Sequence, residues 1–261
     1  MHSESVTIPE CYLDEFRPVE FLAVGGQSHI HIVEDKKSRQ LVVLKIYNDS
    51  GNRAAAIFKL VSGLKHPCVL KPLRYFDYTP KAMLLPLIRG GTLQQKIQKK
   101  RLSFEESGVI LAQLVSLLSS FSEIGLVHRD LKPDNLYLNS ELHCFVADFD
   151  FAHVSQGMFR DWLLPLRYRT QGTTYFMAPE HLEGGIPHSG MDDYAVATLY
   201  YQCLTLNLPF GNSIEDRFDV KRYRPAPILT RAQNRILQQA LHHKPRQRIC
   251  ARKVYEALYL G

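Results

Sequence analysis

Cysteine is scarce in this chain and tryptophan nearly absent, with five and one respectively among 261 residues. The cysteines are Cys11, Cys68, Cys144, Cys203 and Cys250, an odd number, far apart and never paired as Cys-x-x-Cys. That spacing argues against a disulfide framework or a zinc site, and a reducing compartment is expected. No apolar run is long enough to span a bilayer, and the N-terminus lacks a charged-then-apolar leader pattern. The expectation is a soluble, cytoplasmic protein with no membrane span. Internal repeats and low-complexity segments are missing as well. Acidic residues are locally absent: between Asn48 and Pro72 the only one is Asp49.

What is present suffices for a folded enzyme-sized protein. Apolar residues make up 45% of the chain, enough for a sizeable core. The formal net charge is +6, with local sources at Lys96, Lys99, Lys100 and Arg101 and again at Arg217, Lys221, Arg222 and Arg224. Such runs are ordinarily solvated surface, and attraction to acidic or phosphorylated partners is the sharper reading. No aromatic-rich RNA-binding signature accompanies the charge, so nucleic acid is not expected as a partner.

Hydrophobic spacing sketches the organisation. Residues 1–17 show little apolar periodicity and read as an N-terminal extension. Ile30, Ile32 and Leu41–Leu44 flank a polar turn at Glu34–Ser38, a β-hairpin pattern. Ala56, Leu60, Val61 and Leu64 give a helical period from Arg53 to Leu64, and short strands fit Val69–Asp77 and Ala82–Leu87. After Gly90-Gly91-Thr92 the chain turns helical. Leu111, Leu114, Val115, Leu118 and Phe121 form one amphipathic stripe, Tyr194–Leu204 is apolar nearly all round, and Val254, Ala257 and Leu258 suit a last helix.

The densest chemistry is His128-Arg129-Asp130-Leu131-Lys132-Pro133-Asp134-Asn135. Transferring a phosphoryl group requires an oriented hydroxyl, neutralised phosphate oxygens and two oxygens held in line. Asp130 can accept the hydroxyl proton, Lys132 can meet the moving phosphate, and the amide oxygen of Asn135 can ligate magnesium. The octet resembles the catalytic loop of protein kinases, and Lys-Pro-x-Asn is similar to the serine/threonine type.

Further motifs of that family follow in order. Val42-Val43-Leu44-Lys45 resembles its phosphate-anchoring strand, and Asp148-Phe149-Asp150 its magnesium-binding Asp-Phe-Gly. Gly172–Glu180 resembles the close of an activation segment. Asp192 is similar to the family's buried helix aspartate, and Arg248 to the late arginine that pairs with Glu180. The resemblance runs from about Phe21 to the C-terminus and implies an α+β, bilobal fold. A small sheet lobe would occupy about 18–85, a hinge about 86–89 and a helical lobe about 90–261.

The resemblance also implies a set of site residues. Asp130, Lys132 and Lys45 would carry catalysis. Asn135 and Asp148 would hold Mg2+. ATP would meet Leu22, Gly25, Gly26, Ile30, Val43, Lys45, Leu85, Pro86, Ile88 and Tyr137, with adenine bonded to the backbone of Pro86 and Ile88. Arg129 resembles the arginine that gathers a phosphorylated residue of the activation segment, for which Thr170 is the first candidate, followed by Ser155, Tyr168 and Thr174. Thr173 would contact Asp130 and Lys132. A protein substrate is implied, with room for a regulatory partner protein.

Several positions depart from the family pattern. Ala23 and Ser28 replace the outer glycines of the phosphate loop, Tyr137 replaces an aliphatic floor, and Asp150 replaces a glycine whose left-handed angles aspartate tolerates. Ile57 falls where a helix glutamate normally pairs with the lysine. Three functions remain open: an active serine/threonine kinase, a pseudokinase that binds nucleotide or acts as a scaffold, and a kinase-fold enzyme for small molecules or lipids.

Overall fold

The computed structural model describes residues 7–25, 27–48, 53–155 and 174–261. They fall into two compact units, the described residues of 7–65 and 69–88 in one and those of 66–68 and 89–261 in the other.

The first unit contains α1 (Glu10–Leu13), β1 (Phe16–Val24), β2 (Ser28–Asp35), β3 (Leu41–Tyr47), α2 (Arg53–Gly63), β4 (Arg74–Phe76) and β5 (Ala82–Pro86). The strands form one antiparallel sheet in the order β1-β2-β3-β5-β4. The β2–β3 turn is set by Asp35, whose carboxylate accepts the N–H groups of Lys37 and Ser38 at 2.8 and 3.1 Å. Because side chains alternate across a strand, β3 divides cleanly. Val42, Leu44 and Ile46 lie in the buried core with Val33, Phe76, Ala82 and Leu84, whereas Val43 and Lys45 belong to the opposite face.

The segment read as an extension contributes to that core. Ile8, Tyr12 and Phe16 are 7%, 1% and 2% exposed. Tyr12 lies edge-on to Phe76 with ring centres 5.5 Å apart, and its hydroxyl donates to the carbonyl of Pro80. Of the three only Tyr12 lies in α1, so no single period links them and the segment's place in the core does not stand out in the sequence. Helix α2 buries Ala54, Ala56, Ile57, Leu60 and Val61, and no acidic residue occurs in it.

The second unit holds α3 (Leu93–Lys99), α4 (Phe104–Glu123), β6 (Leu126–Val127), β7 (Leu136–Leu138), β8 (Cys144–Val146), β9 (His153–Val154), α5 (Pro179–Leu182), α6 (Ser189–Thr205), α7 (Arg231–Ala240) and α8 (Ala251–Tyr255). Capping boxes open three helices: Thr92 with Gln95, Ser103 with Glu106 and Thr230 with Gln233. Helix α6 is buried along most of its length, as its all-round apolar sequence requires. Gly90 is needed for close approach, since a Cβ there would sit 1.8 Å from the carbonyl oxygen of Leu138. Leu138 in turn donates to the Gly91 carbonyl at 3.0 Å, fixing β7 beside the entry to α3.

If residues 8–16 are structural, Tyr12→Ala should cost about 3–5 kcal/mol, and Tyr12→Phe about 1 kcal/mol for the lost hydrogen bond. Thermal melts followed by circular dichroism measure both. A Tyr12→Ala protein that melts like wild type would show that the segment is dispensable.

Candidate active site

The catalytic-loop residues are held from beneath by a buried carboxylate. Asp192, near the start of α6 and 2% exposed, accepts the backbone N–H of His128 at 2.7 Å and of Arg129 at 2.9 Å. Those two bonds sustain a backbone that is otherwise costly, because Arg129 takes φ 70, in the left-handed region. His128 is fully buried. Its Nε2–H donates to the carbonyl of Ala147 at 3.1 Å and its Nδ1 accepts the N–H of Asp130 at 3.3 Å. Burial pushes its pKa down to about 4, so the ring is neutral, as this donor–acceptor pattern demands.

Asp130 is where the loop's polar groups converge. Lys132 Nζ lies 3.1 and 2.8 Å from its two carboxylate oxygens. Asn135 Nδ2 donates to its Oδ2 and to its carbonyl oxygen, both at 2.8 Å. Burial raises the Asp130 carboxyl above the ordinary range and the Asp148 charge adds to this, while Lys132 and Asn135 oppose it. Asn135 spends its amide nitrogen on Asp130, which leaves its amide oxygen as the donor suited to a hard cation. The loop is joined to the strand pair behind it, since Ala147 N–H donates to the Asn135 carbonyl at 2.9 Å.

The Asp-Phe-Asp triplet sits directly after β8. Asp148 takes φ 63 and ψ 70, while Phe149–Phe151 form a turn of 3-10 helix. Asp150 lies inside that turn, 4% exposed and without positive φ. Its tolerance of left-handed angles is therefore not called upon, and the unusual backbone belongs to Asp148. Phe149 is buried against the His128 ring at 4.6 Å and the Phe121 ring at 5.9 Å. Tyr137, on β7, forms an isolated bridge with Thr92 and is half-buried.

The Arg129 side chain points inward, with 8% exposed. It donates to the Phe151 carbonyl at 3.3 Å, and its Nη2 lies 3.3 Å from His181 Nε2 on α5. Burial and the adjacent guanidinium lower the His181 pKa to about 4, so the ring accepts. Nothing in the sequence marked His181, because it carries no motif spacing. Its neighbour Glu180 is held by Arg248 through two bonds of 2.7 and 2.8 Å. Arg217, which the sequence groups with surface cations, is instead 2% exposed and donates to the carbonyls of Thr174 and Met177. Two backbone carbonyls and the Tyr175 ring, 5.7 Å from its guanidinium, are neighbours that a charge run does not reveal.

In the first unit, Ile30 on β2 opposes Lys45 on β3, and Val43 opposes Leu85 on β5. Directly opposed residues share a face, so Ile30, Val43, Lys45 and Leu85 line the side of the sheet away from the Tyr12 core. Lys45 is 5% exposed and its ammonium lies 5.2 Å from the centre of the Tyr47 ring. Ile57, in the position of the expected glutamate, is 3% exposed. Pro86 and Ile88 are half-buried, and Leu22 and Gly25 are exposed. Gly26, Asp49, Tyr168, Thr170, Gly172 and Thr173 lie outside the described residues.

Comparison with known proteins identifies the family. The chain is 26% identical to Aurora kinase B of Mus musculus, over 91% of its own length and 70% of the mouse protein. It is 24% identical to Aurora kinase A-A of Xenopus laevis and 25% identical to the Arabidopsis thaliana serine/threonine-protein kinase AtPK1/AtPK6. It spans only 61% and 52% of those two relatives. Residues 16–260 match the protein kinase domain, nearly the whole chain, and the protein belongs to that family.

Proposed function

We propose that this protein is an active serine/threonine protein kinase that uses ATP and Mg2+, with Asp130 as the group that orients and deprotonates the substrate hydroxyl. The observation that carries the reading is the three-way contact of Asp130 with Lys132 and Asn135 in a loop fixed by Asp192. A carboxylate held by two side chains is pre-organised, and its raised pKa makes it a better proton acceptor than a solvated aspartate. Lys132 is positioned to neutralise charge arriving beside Asp130. Lys45, on the side of the sheet away from the Tyr12 core, would neutralise the phosphates of the bound nucleotide. Leu22, Gly25, Gly26, Ile30, Val43, Leu85, Pro86, Ile88 and Tyr137 would enclose its base and ribose.

The donor set suits magnesium. Asn135 Oδ1 and the Asp148 carboxylate are hard oxygen ligands, and magnesium is commonly held by one or two carboxylates together with substrate phosphates. The bound ion would supply charge neutralisation on the phosphate oxygens. Among the described residues there is no helix long and apolar enough to cross a membrane.

The pseudokinase reading draws on α2, which has no carboxylate to pair with Lys45. Tyr47 supplies different chemistry, because a ring face attracts an ammonium by about 0.5–2 kcal/mol, more when desolvated. We assign Tyr47 as one residue that steadies Lys45, so Tyr47→Leu should raise KM for ATP several-fold with a smaller change in kcat.

Transfer of labelled phosphate to basic protein substrates tests the main reading. Asp130→Asn should reduce the rate by about 10²–10⁴-fold, and Lys45→Met by about 10²–10³-fold. No transfer by wild type, or equal transfer by Asp130→Asn, would leave the scaffold reading, and a thermal shift with ATP with and without magnesium would then reveal whether nucleotide binds. Label found only on small molecules or lipids would move the substrate class.

The pH profile gives a second check. Asp130 acts when ionised, and its pKa is raised, so kcat/KM should be full at neutral pH and fall as pH drops. The midpoint should lie above the ordinary aspartate value of about 3.9. Lys132 holds that pKa down, so Lys132→Met should move the acid limb to higher pH. An acid limb at or below the ordinary value, or one left in place by Lys132→Met, would remove Asp130 from the base role.

A further inference from the structure

Positive charge in this chain is segregated. From Phe218 to Lys253 there are ten lysines and arginines and one acidic residue, Asp219, while the rest of the chain has 22 basic residues against 25 acidic. Arg248 in this stretch is committed to Glu180, and Asp219 already caps Lys221 and lies 4.0 Å from Arg222. The remaining cations, including Arg231 and Arg235 on α7, are exposed.

Arg231 and Arg235 border a groove of about 360 Å³ between α7 and the loop Tyr223–Leu229, with Pro225, Pro227 and Leu229 among its apolar lining. The groove is rigidly built. The Asn234 side chain, 8% exposed, accepts from Tyr223 Oη at 2.9 Å and Ala226 N–H at 2.7 Å. It donates to the carbonyls of Ala226, Leu229 and Thr230 at 3.0, 3.0 and 3.1 Å. Neither bordering arginine has an ion-pair partner among the described residues. Like charges four residues apart on a helix destabilise it, so folding gains nothing from this pair.

We propose that this groove docks an acidic, extended peptide segment of a partner protein. The arginines are about 6 Å apart along the helix axis, from a rise of 1.5 Å per residue. Alternate side chains of an extended peptide are about 6.7 Å apart. Two carboxylates at i and i+2 therefore meet Arg231 and Arg235, while an apolar side chain of the same segment settles against Pro225, Pro227 and Leu229. The groove offers no exposed aromatic ring on which nucleobases would stack, since Tyr223 is 7% exposed. This surface is independent of the phosphoryl-transfer reading.

The test is fluorescence anisotropy of a labelled twelve-residue peptide of alternating glutamate and leucine, titrated with the full chain. Saturable binding is expected, weakened at least tenfold in the Arg231→Glu/Arg235→Glu protein and less than twofold in Lys99→Glu/Lys100→Glu. A matched peptide with glutamine for glutamate should bind at least tenfold more weakly. Arg231→Gln/Arg235→Gln, melting at or above the wild-type temperature, should also lose binding, which separates docking from misfolding. The proposal is overturned by absent binding, by equal loss in the Lys99/Lys100 protein, or by oligouridylate or phosphatidylserine vesicles binding more tightly through the same two arginines.

Discussion

The catalytic loop rests on one buried carboxylate. Asp192 accepts two consecutive backbone N–H groups, and that pair of bonds is what permits Arg129 to remain at φ 70. Left-handed backbone at a non-glycine residue is unfavourable by roughly 1–3 kcal/mol, and two charge-assisted hydrogen bonds offset it. Burial dominates and pushes this carboxyl up to about 7 even though the two N–H groups oppose the rise. The arrangement is mutual: the loop's amides satisfy a carboxylate that could not otherwise stay in the interior, and the carboxylate fixes the loop. Asp130 follows directly from it, since its N–H is tied to His128 and its side chain to Lys132 and Asn135.

A second layer of order comes from aromatic packing. Phe149 meets the neutral His128 ring and also Phe121 of α4. Burying Phe149 forces the turn at Asp148, and the strained residue is the one whose carboxylate would face a metal. Asp150 then continues in helical geometry that any residue can adopt. The loss of glycine from this triplet is thus less consequential than its place in a motif suggests. Motif positions encode what a family usually needs, whereas backbone angles encode what this chain needs.

Much of the architecture was legible from spacing. The β2–β3 hairpin, α2, the stripe of α4 and the buried α6 all follow from apolar periods long enough to repeat. The Glu180–Arg248 pair and the Asp192 brace were visible as motif residues, and the described geometry joins them as expected. Contributions from single residues without a repeating context were hidden. Tyr12 joins a core from a segment with three apolar anchors, His181 meets Arg129 across 52 residues of sequence, and Arg217 is buried within a run that reads as surface. Each depends on what lies next to it in space, which a linear period does not record.

The same distinction bears on Lys45. Its helix partner is missing from the sequence, and a motif-based view treats that as a defect. Electrostatics requires only that the ammonium be stabilised and oriented, and an aromatic face does both without a second charge. The ring of Tyr47 lies 5.2 Å from that ammonium, on a side chain that is 5% exposed. Ile57, at the position of the expected glutamate, is 3% exposed and serves the buried face of α2, so packing of the helix takes the place that a charge would have held.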